Sequence, residues 1–340
     1  MSAVAIAGMG QALPPTVSQQ ELWDGYFHRH VDSPGFGARI FANSGVRRRH
    51  AVLNPLVEDV SGWSTGQRMR RYAAEAVPLG SAAVSAALDQ AGVAASEVGL
   101  FAVASCTGYG SPGVDVHVSL DVGMPSDLRR LVFGHMGCYA ALPALGAVSD
   151  YVAAHSRPAV LLNVELTSLH VQPAGIARDQ IVAHALFSDA AVATVLTPGG
   201  SLRVVDLVAV TDPATPDHMT WDVTDLGFRM GLSPKVPDVL AVHLRPAVDT
   251  LLGRNGVRDV AGWAVHPGGP RILETVEDVL QLPGDALDAS RAVLAEHGNC
   301  SSATVLLVLQ RLLPVDGPVV MLAFGPGLTL YALLLRPDHQ

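Results

Sequence analysis

The chain has 340 residues, 49% of them hydrophobic and only 16% charged, with a formal net charge of −9. That length and apolar content suit a large buried core, built as one big or two medium domains. The acidic balance speaks against nucleic acid as the main partner, and no uninterrupted apolar run of about 18 residues offers a membrane span.

The N-terminus, MSAVAIAGMGQALPP, has no basic leader, and its apolar stretch ends early. It reads as a first strand, Val4–Ala7, and a loop rather than a secretory signal, which places the protein in the cytoplasm. Helices are predicted over Leu22–His30 and Arg70–Ala91, the second closed by Gly92. Leu100–Ala104 is a short apolar strand. Leu131–Phe133 is another, after which Tyr139–Ala154 repeats apolar residues at helical spacing. Ala159–Val164 (AVLLNV) and Ala190–Leu196 (AAVATVL) are continuous apolar strands, the latter closed by Thr197-Pro-Gly-Gly. The second half repeats the theme with helices Pro237–Leu252, Arg271–Leu280 and Ala303–Leu312 and strands Val260–Val265, Val319–Ala323 and Thr329–Leu335. Apolar strands alternating with helices indicate an α/β protein whose sheets are covered on both faces. The layout divides near Gly199–Gly200 into two related halves, 1–199 and 200–340.

Cys106, Cys138 and Cys300 are an odd, widely spaced set with no CxxC, so neither a disulfide framework nor a zinc site is indicated. The 13 histidines include no HExxH pair, and Lys235 is the only lysine. A phosphate-bearing ligand must therefore be held mainly by arginine, histidine or backbone N–H groups. Cys138, in FGHMGCYAALPAL, sits where a strand turns into a helix. Unpaired N–H groups of a first helical turn favour negative charge, and the thiolate is the reactive form of cysteine. A free cysteine is often just a small buried hydrophobe, and the residue alone leaves both readings open.

Three further segments bear on that choice. His266 ends a strand and is followed by a rigid turn in GWAVHPGGPRIL, Asn299 follows a glycine in HGNCSSA, and AFGPGLT spans Ala323–Thr329. Separately they read as an ordinary histidine, a helix N-cap and a tight turn. Together with Cys138, and in this order, they resemble the type III polyketide synthases, the chalcone-synthase-like condensing enzymes, over nearly the whole chain. The resemblance implies a thiolase fold, two α/β halves in a five-layered αβαβα arrangement. It also implies catalysis by Cys138 as nucleophile with His266 and Asn299. HALFSDAA at His184–Ala191 and LGFRMGL around Phe228 match family segments that place Phe187 and Phe228 at the mouth of the cavity. Glu165 and Thr167 fall in an E-x-T cavity segment, and Ser301 lies near Asn299. In the expected chemistry a thiolate exchanges with an acyl-CoA thioester, and His266 steadies that thiolate as an ion pair. His266 and the Asn299 amide then stabilise the enolate left by decarboxylation of malonyl-CoA. No metal or redox cofactor is implied.

The sequence departs from the plant members of the family in several places. Cys106, in SCTG, replaces a threonine, as in bacterial members. His170 and Met219 fall where smaller residues are usual, and Ser188 and Ala190 replace two glycines, changes expected to shrink the pocket. Tyr331 replaces an acidic residue. Of the family's basic CoA contacts only Arg39 remains, with Phe36 and Asn43 at lysine positions and Arg47, Arg48 and Arg49 following. Delivery of the acyl starter as acyl-CoA or on a carrier protein stays open. Two other functions remain: an acyltransferase that passes an acyl group from Cys138 to an alcohol or amine without decarboxylation, and a non-catalytic acyl-binding subunit. The family forms homodimers in which each subunit contributes to the other's cavity, by a segment that matches Tyr109–Val114 here, so a homodimer is expected.

Overall fold

The computed structural model describes residues 3–172 and 178–337. Its strands are β1 (Val4–Ala12), β2 (Thr16–Ser18), β3 (Arg48–His50), β4 (Leu100–Ala104), β5 (Arg129–Phe133), β6 (Ala159–Leu166), β7 (Asp189–Pro198), β8 (Leu202–Thr211), β9 (Met219–Thr224), β10 (Gly227–Leu232), β11 (Gly262–Val265), β12 (Val319–Gly325) and β13 (Thr329–Pro337). The α-helices are α1 (Gln19–Gly25), α2 (Pro34–Ala42), α3 (Thr65–Ala91), α4 (Val114–Val122), α5 (Ala141–His155), α6 (Arg178–Leu186), α7 (Val236–Arg254), α8 (Pro270–Leu280), α9 (Asp288–His297) and α10 (Thr304–Leu312).

Alternate residues along a strand face opposite sides of its sheet. On β4, Phe101 and Val103 pack in one apolar cluster with Ala83 and Ala87 of α3, while Leu100, Ala102 and Ala104 pack in another with α5 and α10. On β12, Met321 and Ala323 join that second cluster, while Val320 and Leu322 pack against Leu244 and Leu251 of α7. The order of layers is therefore α3, the first sheet, α5 with α10, the second sheet, α7 with α8, the five layers the sequence implies. Burial on both faces is why β6 and β12 read as unbroken apolar runs. The ladder itself is continuous in the order β11-β12-β13-β8-β1-β7-β6-β4-β5. The halves join where β1 pairs β8 over two residues, Ala5 and Ile6.

Local signals explain the boundaries. Ser64 and Gln67 form a capping box at the start of α3, and Gly92, at φ 64°, ends it. Helix α2 and the β9–β10 hairpin have no counterpart among the predicted elements. They come from stretches, GFGARIFA and MTWDVTDLGFRMGL, whose apolar spacing is irregular.

Candidate active site

Two strand ends and one helix approach bring the chemistry together. From β5 the chain turns through His135, at φ 62°, and Gly137, at φ 69°, into a short 3₁₀ turn, Gly137–Tyr139, that carries Cys138. A Cβ on Gly137 would lie 2.6 Å from Pro326 Cδ, and one on Gly325 would lie 2.8 Å from the Tyr139 ring. The Gly-Pro-Gly loop after β12 is thus packed directly against the nucleophile turn, and both glycines are required by close approach. His266 follows the last residue of β11 and is fixed by its N–H to Leu322 O, 2.8 Å. Asn299 is tied to the Phe187 segment by Asn299 N–H to Leu186 O, 2.8 Å, and Ser188 N–H to Asn299 O, 2.9 Å.

Cys138, His266 and Asn299 line one cavity of about 840 Å³, with Phe187 and Met219 on its wall. A volume of that order is typical of a small-molecule site. Cys138 is 6%, His266 1% and Asn299 3% exposed, so the reacting groups meet a ligand in a nearly dry setting. Asn299 Oδ1 accepts from the Ser301 N–H at 2.9 Å. Its oxygen is therefore committed, and the NH₂ is the group left for a ligand. Both ring nitrogens of His266 are without a hydrogen-bond partner among the described residues.

Burial pushes the Cys138 thiol up to about 12, against an opposing hydrogen bond from Ser301, and holds His266 down at about 3. Burial is the leading cause in both cases and disfavours the thiolate and the imidazolium alike, a loss of hydration that the pair expected from the sequence would have to offset.

A second chamber, about 20 Å³, lies behind Cys138 and is bounded by Cys106, Thr167, Ser301, Phe187 and Trp221. A third, about 40 Å³, is lined by His170, Phe228, Arg49, His184, Phe187 and Trp221. Of the two expected mouth phenylalanines, only Phe187 borders the main cavity. Phe228 is stacked on His170 at 4.3 Å in the rear chamber. Its N–H donates to His170 Nδ1 at 3.0 Å, so His170 Nε2 carries the proton that meets Thr107 O at 2.7 Å. Glu165 lines none of these spaces. It is fully buried behind Cys106, accepting from Ser302 Oγ at 2.7 Å, Thr107 Oγ1 at 2.8 Å and Cys106 N–H at 3.0 Å, and burial raises its carboxyl. Ser188 and Ala190 do not narrow the pocket either: Ser188 Oγ is bonded to the backbone of His50, and Ala190 is in the core.

Arg39 lies at the outer end of the main cavity with Phe36 and Asn43. Arg178 and Arg271, which carried no signal in the sequence beyond their charge, also line this cavity and are exposed, and Arg178 lies 5.3 Å over the Phe36 ring. Of the basic run, Arg47 pairs with Glu296 and Arg48 bonds its backbone oxygen, while Arg49 is buried and donates to the carbonyls of His184 and Phe187. Trp221 and Met230 also border the site and have no motif to announce them. Tyr331 stacks on Tyr139 at 5.3 Å.

Comparison with known proteins agrees with this geometry. Residues 2–200 match the family profile described as chalcone and stilbene synthases, N-terminal domain, and residues 207–337 the corresponding C-terminal domain. The chain is 37% identical over 314 residues to a 1,3,6,8-tetrahydroxynaphthalene synthase of Streptomyces peucetius subsp. caesius, covering 88% of this chain and 82% of that one. It is 30% identical to an alpha-pyrone synthesis polyketide synthase-like protein of Mycobacterium tuberculosis, covering 87% and 81%. The crystal structure of PKS-I from the brown alga Ectocarpus siliculosus superposes with a TM-score of 0.91 at 27% identity, covering 99% of both chains.

Proposed function

Because the chain belongs to the chalcone and stilbene synthase family, the type III polyketide synthases, we propose a residue-level course for its condensation and a class of product. Cys138 takes an acyl group from an acyl-CoA or carrier-bound thioester, its proton leaving with the departing thiol. Malonyl-CoA then binds with its thioester oxygen at the His266 ring and the Asn299 NH₂. Carbon dioxide departs, and the electron pair of the broken bond becomes an enolate held by those two donors. The enolate carbon attacks the Cys138 thioester and the thiolate leaves, giving a β-ketoacyl-CoA lengthened by two carbons. Two neutral donors in a dry cavity suit a negative charge that exists only during reaction. The bond energy comes from loss of carbon dioxide, so the course uses no resident metal or redox cofactor.

The observation that carries this reading is the single cavity shared by Cys138, His266 with both nitrogens unpaired, and Asn299 with only its NH₂ uncommitted. The relatives' names point to a small polyhydroxylated aromatic or a pyrone as product. Mass spectrometry of products from malonyl-CoA, alone and with acyl-CoA starters, tests it. Polyketide masses that vanish in Cys138→Ala support the reading. Acylated Cys138 with no carbon dioxide release would replace it with simple acyl transfer to an alcohol or amine.

The enzyme works as a homodimer in the cytoplasm. No helix among the described residues is long and apolar enough to cross a membrane. Strand β5 ends the sheet with an edge unpaired among the described residues, and Tyr109 and Leu120 are 73% and Val132 65% exposed. Such an edge invites pairing with a second copy. Light scattering should give a dimer mass that Val132→Lys lowers; a wild-type monomer at micromolar concentration would refute it.

A further inference from the structure

Asn299 belongs to no helix or strand of its own. It leaves α9 across a single glycine, and its backbone is bonded on the other side to Leu186 and Ser188. Both supports are in turn bonded to β3 and the residue before it, in the small sheet that β3 makes with β2.

On the α9 side, Arg47 N–H donates to Ala295 O at 2.9 Å and Arg48 Nε to Glu296 O at 3.3 Å. His50 Nδ1 lies 2.8 Å from Pro14 O, a carbonyl that only accepts, so Nδ1 carries the ring proton. His50 Nε2 is then the acceptor, and it meets the Nδ1–H of His297 at 2.9 Å. On the Ser188 side, Arg49 Nη1 donates to Phe187 O at 2.9 Å. His50 N–H donates to Ser188 Oγ at 2.8 Å, and that hydroxyl donates back to His50 O at 3.1 Å. Ser188 stands where plant members of the family have glycine, which has no hydroxyl for such a latch. The two sides close on Gly298: at φ 71°, a Cβ there would lie 2.9 Å from Ser188 Cβ and 3.2 Å from Arg49 Cγ. His50 and Ser188 are buried, and neither lines the cavity that holds Cys138.

We propose that His50 and Ser188 are positioning residues for the condensation: they brace the Asn299 amide from both sides, through His297 and through the Asn299 backbone, without touching substrate. This rests on the role of Asn299 proposed above. In that course the Asn299 NH₂ and the His266 ring meet one oxygen, so a small shift of the Gly298–Asn299 turn costs one of two donors and leaves the thiol in place.

The test separates the two steps. In the proposed course, acylation of Cys138 by an acyl-CoA does not use Asn299, whereas carbon dioxide release from malonyl-CoA does. Ser188→Ala and His50→Ala should each lower kcat for carbon dioxide release by about 10- to 100-fold, with Cys138 acylation, followed by mass spectrometry, close to the wild-type rate. His50→Gln, whose amide oxygen can accept from His297, should recover most of that loss. In an Asn299→Ala background the same substitutions should cost almost nothing further, because the group they position is gone. Thermal denaturation follows folding; should an alanine variant fail to fold, His297→Ala, which removes the same ring-to-ring bond, carries the same expectation. Folded variants that release carbon dioxide at the wild-type rate, that slow both steps alike, or that lose as much again without Asn299 overturn the proposal and leave the condensing reaction standing. An Asn299→Ala enzyme with wild-type carbon dioxide release overturns the role of Asn299, and a wild type that releases none overturns the reaction itself, each taking the proposal with it.

Discussion

The two sides of Cys138 are built differently. In front, toward the large cavity, His266 and Asn299 are held by backbone hydrogen bonds to neighbouring strands and turns, 2.8 Å in each case. Behind, His170, Trp221 and Phe228 pack on one another through ring contacts of 4.3 to 6.1 Å, with both His170 ring nitrogens and the Trp221 indole N–H hydrogen-bonded to backbone groups. Backbone anchoring fixes an atom to a fraction of an ångström, which transition-state stabilisation requires. Ring packing fixes a shape, which selects among chains. On the course proposed above, the front would set whether reaction occurs and the back what it makes.

The sharpest way to break that division is at Asn299. Asn299→Ala removes one of the two donors and should lower carbon dioxide release from malonyl-CoA by about 10²–10³-fold. A fall of less than about tenfold would mean that Asn299 only supports the Ser301 turn. His170→Asn, on the other side, should change the mixture of products far more than the rate of decarboxylation. Equal effects of the two substitutions on that rate would dissolve the distinction.

The same division decides what was legible in the sequence. Front residues sit in short motifs because each needs a particular backbone: Gly137 at positive φ, Pro270 opening α8, and the loop at Gly325 passing against Tyr139. Such requirements constrain neighbouring residues and leave a string that can be recognised. Trp221 and Met230 lie on a hairpin whose residues are free to vary provided the inner face is filled, so they leave no string. Glu165 was visible as part of a motif, but its position behind Cys106 depends on how β6 lies against β4, which no local pattern encodes. Phe228 and the two replaced glycine positions, Ser188 and Ala190, fail for the same reason: a residue can be placed in an element without fixing which cavity its side chain meets.

Gly137 tests the front by packing rather than chemistry. Gly137→Ala places a methyl group at positive φ and 2.6 Å from Pro326. Stability should fall by about 1–3 kcal/mol, read as a lower denaturation midpoint with unchanged m-value, and activity should fall with it. An alanine variant as stable as wild type would show that the nucleophile turn is not tightly clasped.

Acid should strike both sides. Burial lowers His266 to about 3, His170 to about 4 and His184 to about 3, and His297 lies at about 4, lowered by burial and then by His50, which is itself lowered. Each imidazole takes up its proton near pH 6.5 when unfolded but only near 3 to 4 when folded. Between those values the unfolded chain binds more protons, so stability declines as pH falls below about 6.5 and levels off near 3. Asp189, raised to about 6, and Glu165, also raised, act in the opposite sense, since folding favours their protonated forms. They are outnumbered, and the net loss should appear as a falling melting temperature from pH 6.5 to 4. His170→Asn should flatten that slope, and an unchanged slope would assign the acid sensitivity elsewhere.

The smallest effects belong to the outer end of the cavity. Arg39, Arg178 and Arg271 are exposed there, so any contact with the phosphates of a CoA thioester would be made in water rather than in the protein interior. An exposed charge contact is worth roughly 0.2–1 kcal/mol, which is up to about fivefold in binding. Arg271→Ala should therefore raise KM for malonyl-CoA by no more than about fivefold with kcat nearly unchanged, because the contact is the same in the ground and transition states. The difference should shrink in added salt, as screening weakens exposed pairs first. A variant that loses kcat instead, and loses it equally at all salt concentrations, would move Arg271 from the mouth to the chemistry, and the division between a front that reacts and an entrance that merely binds would have to be redrawn.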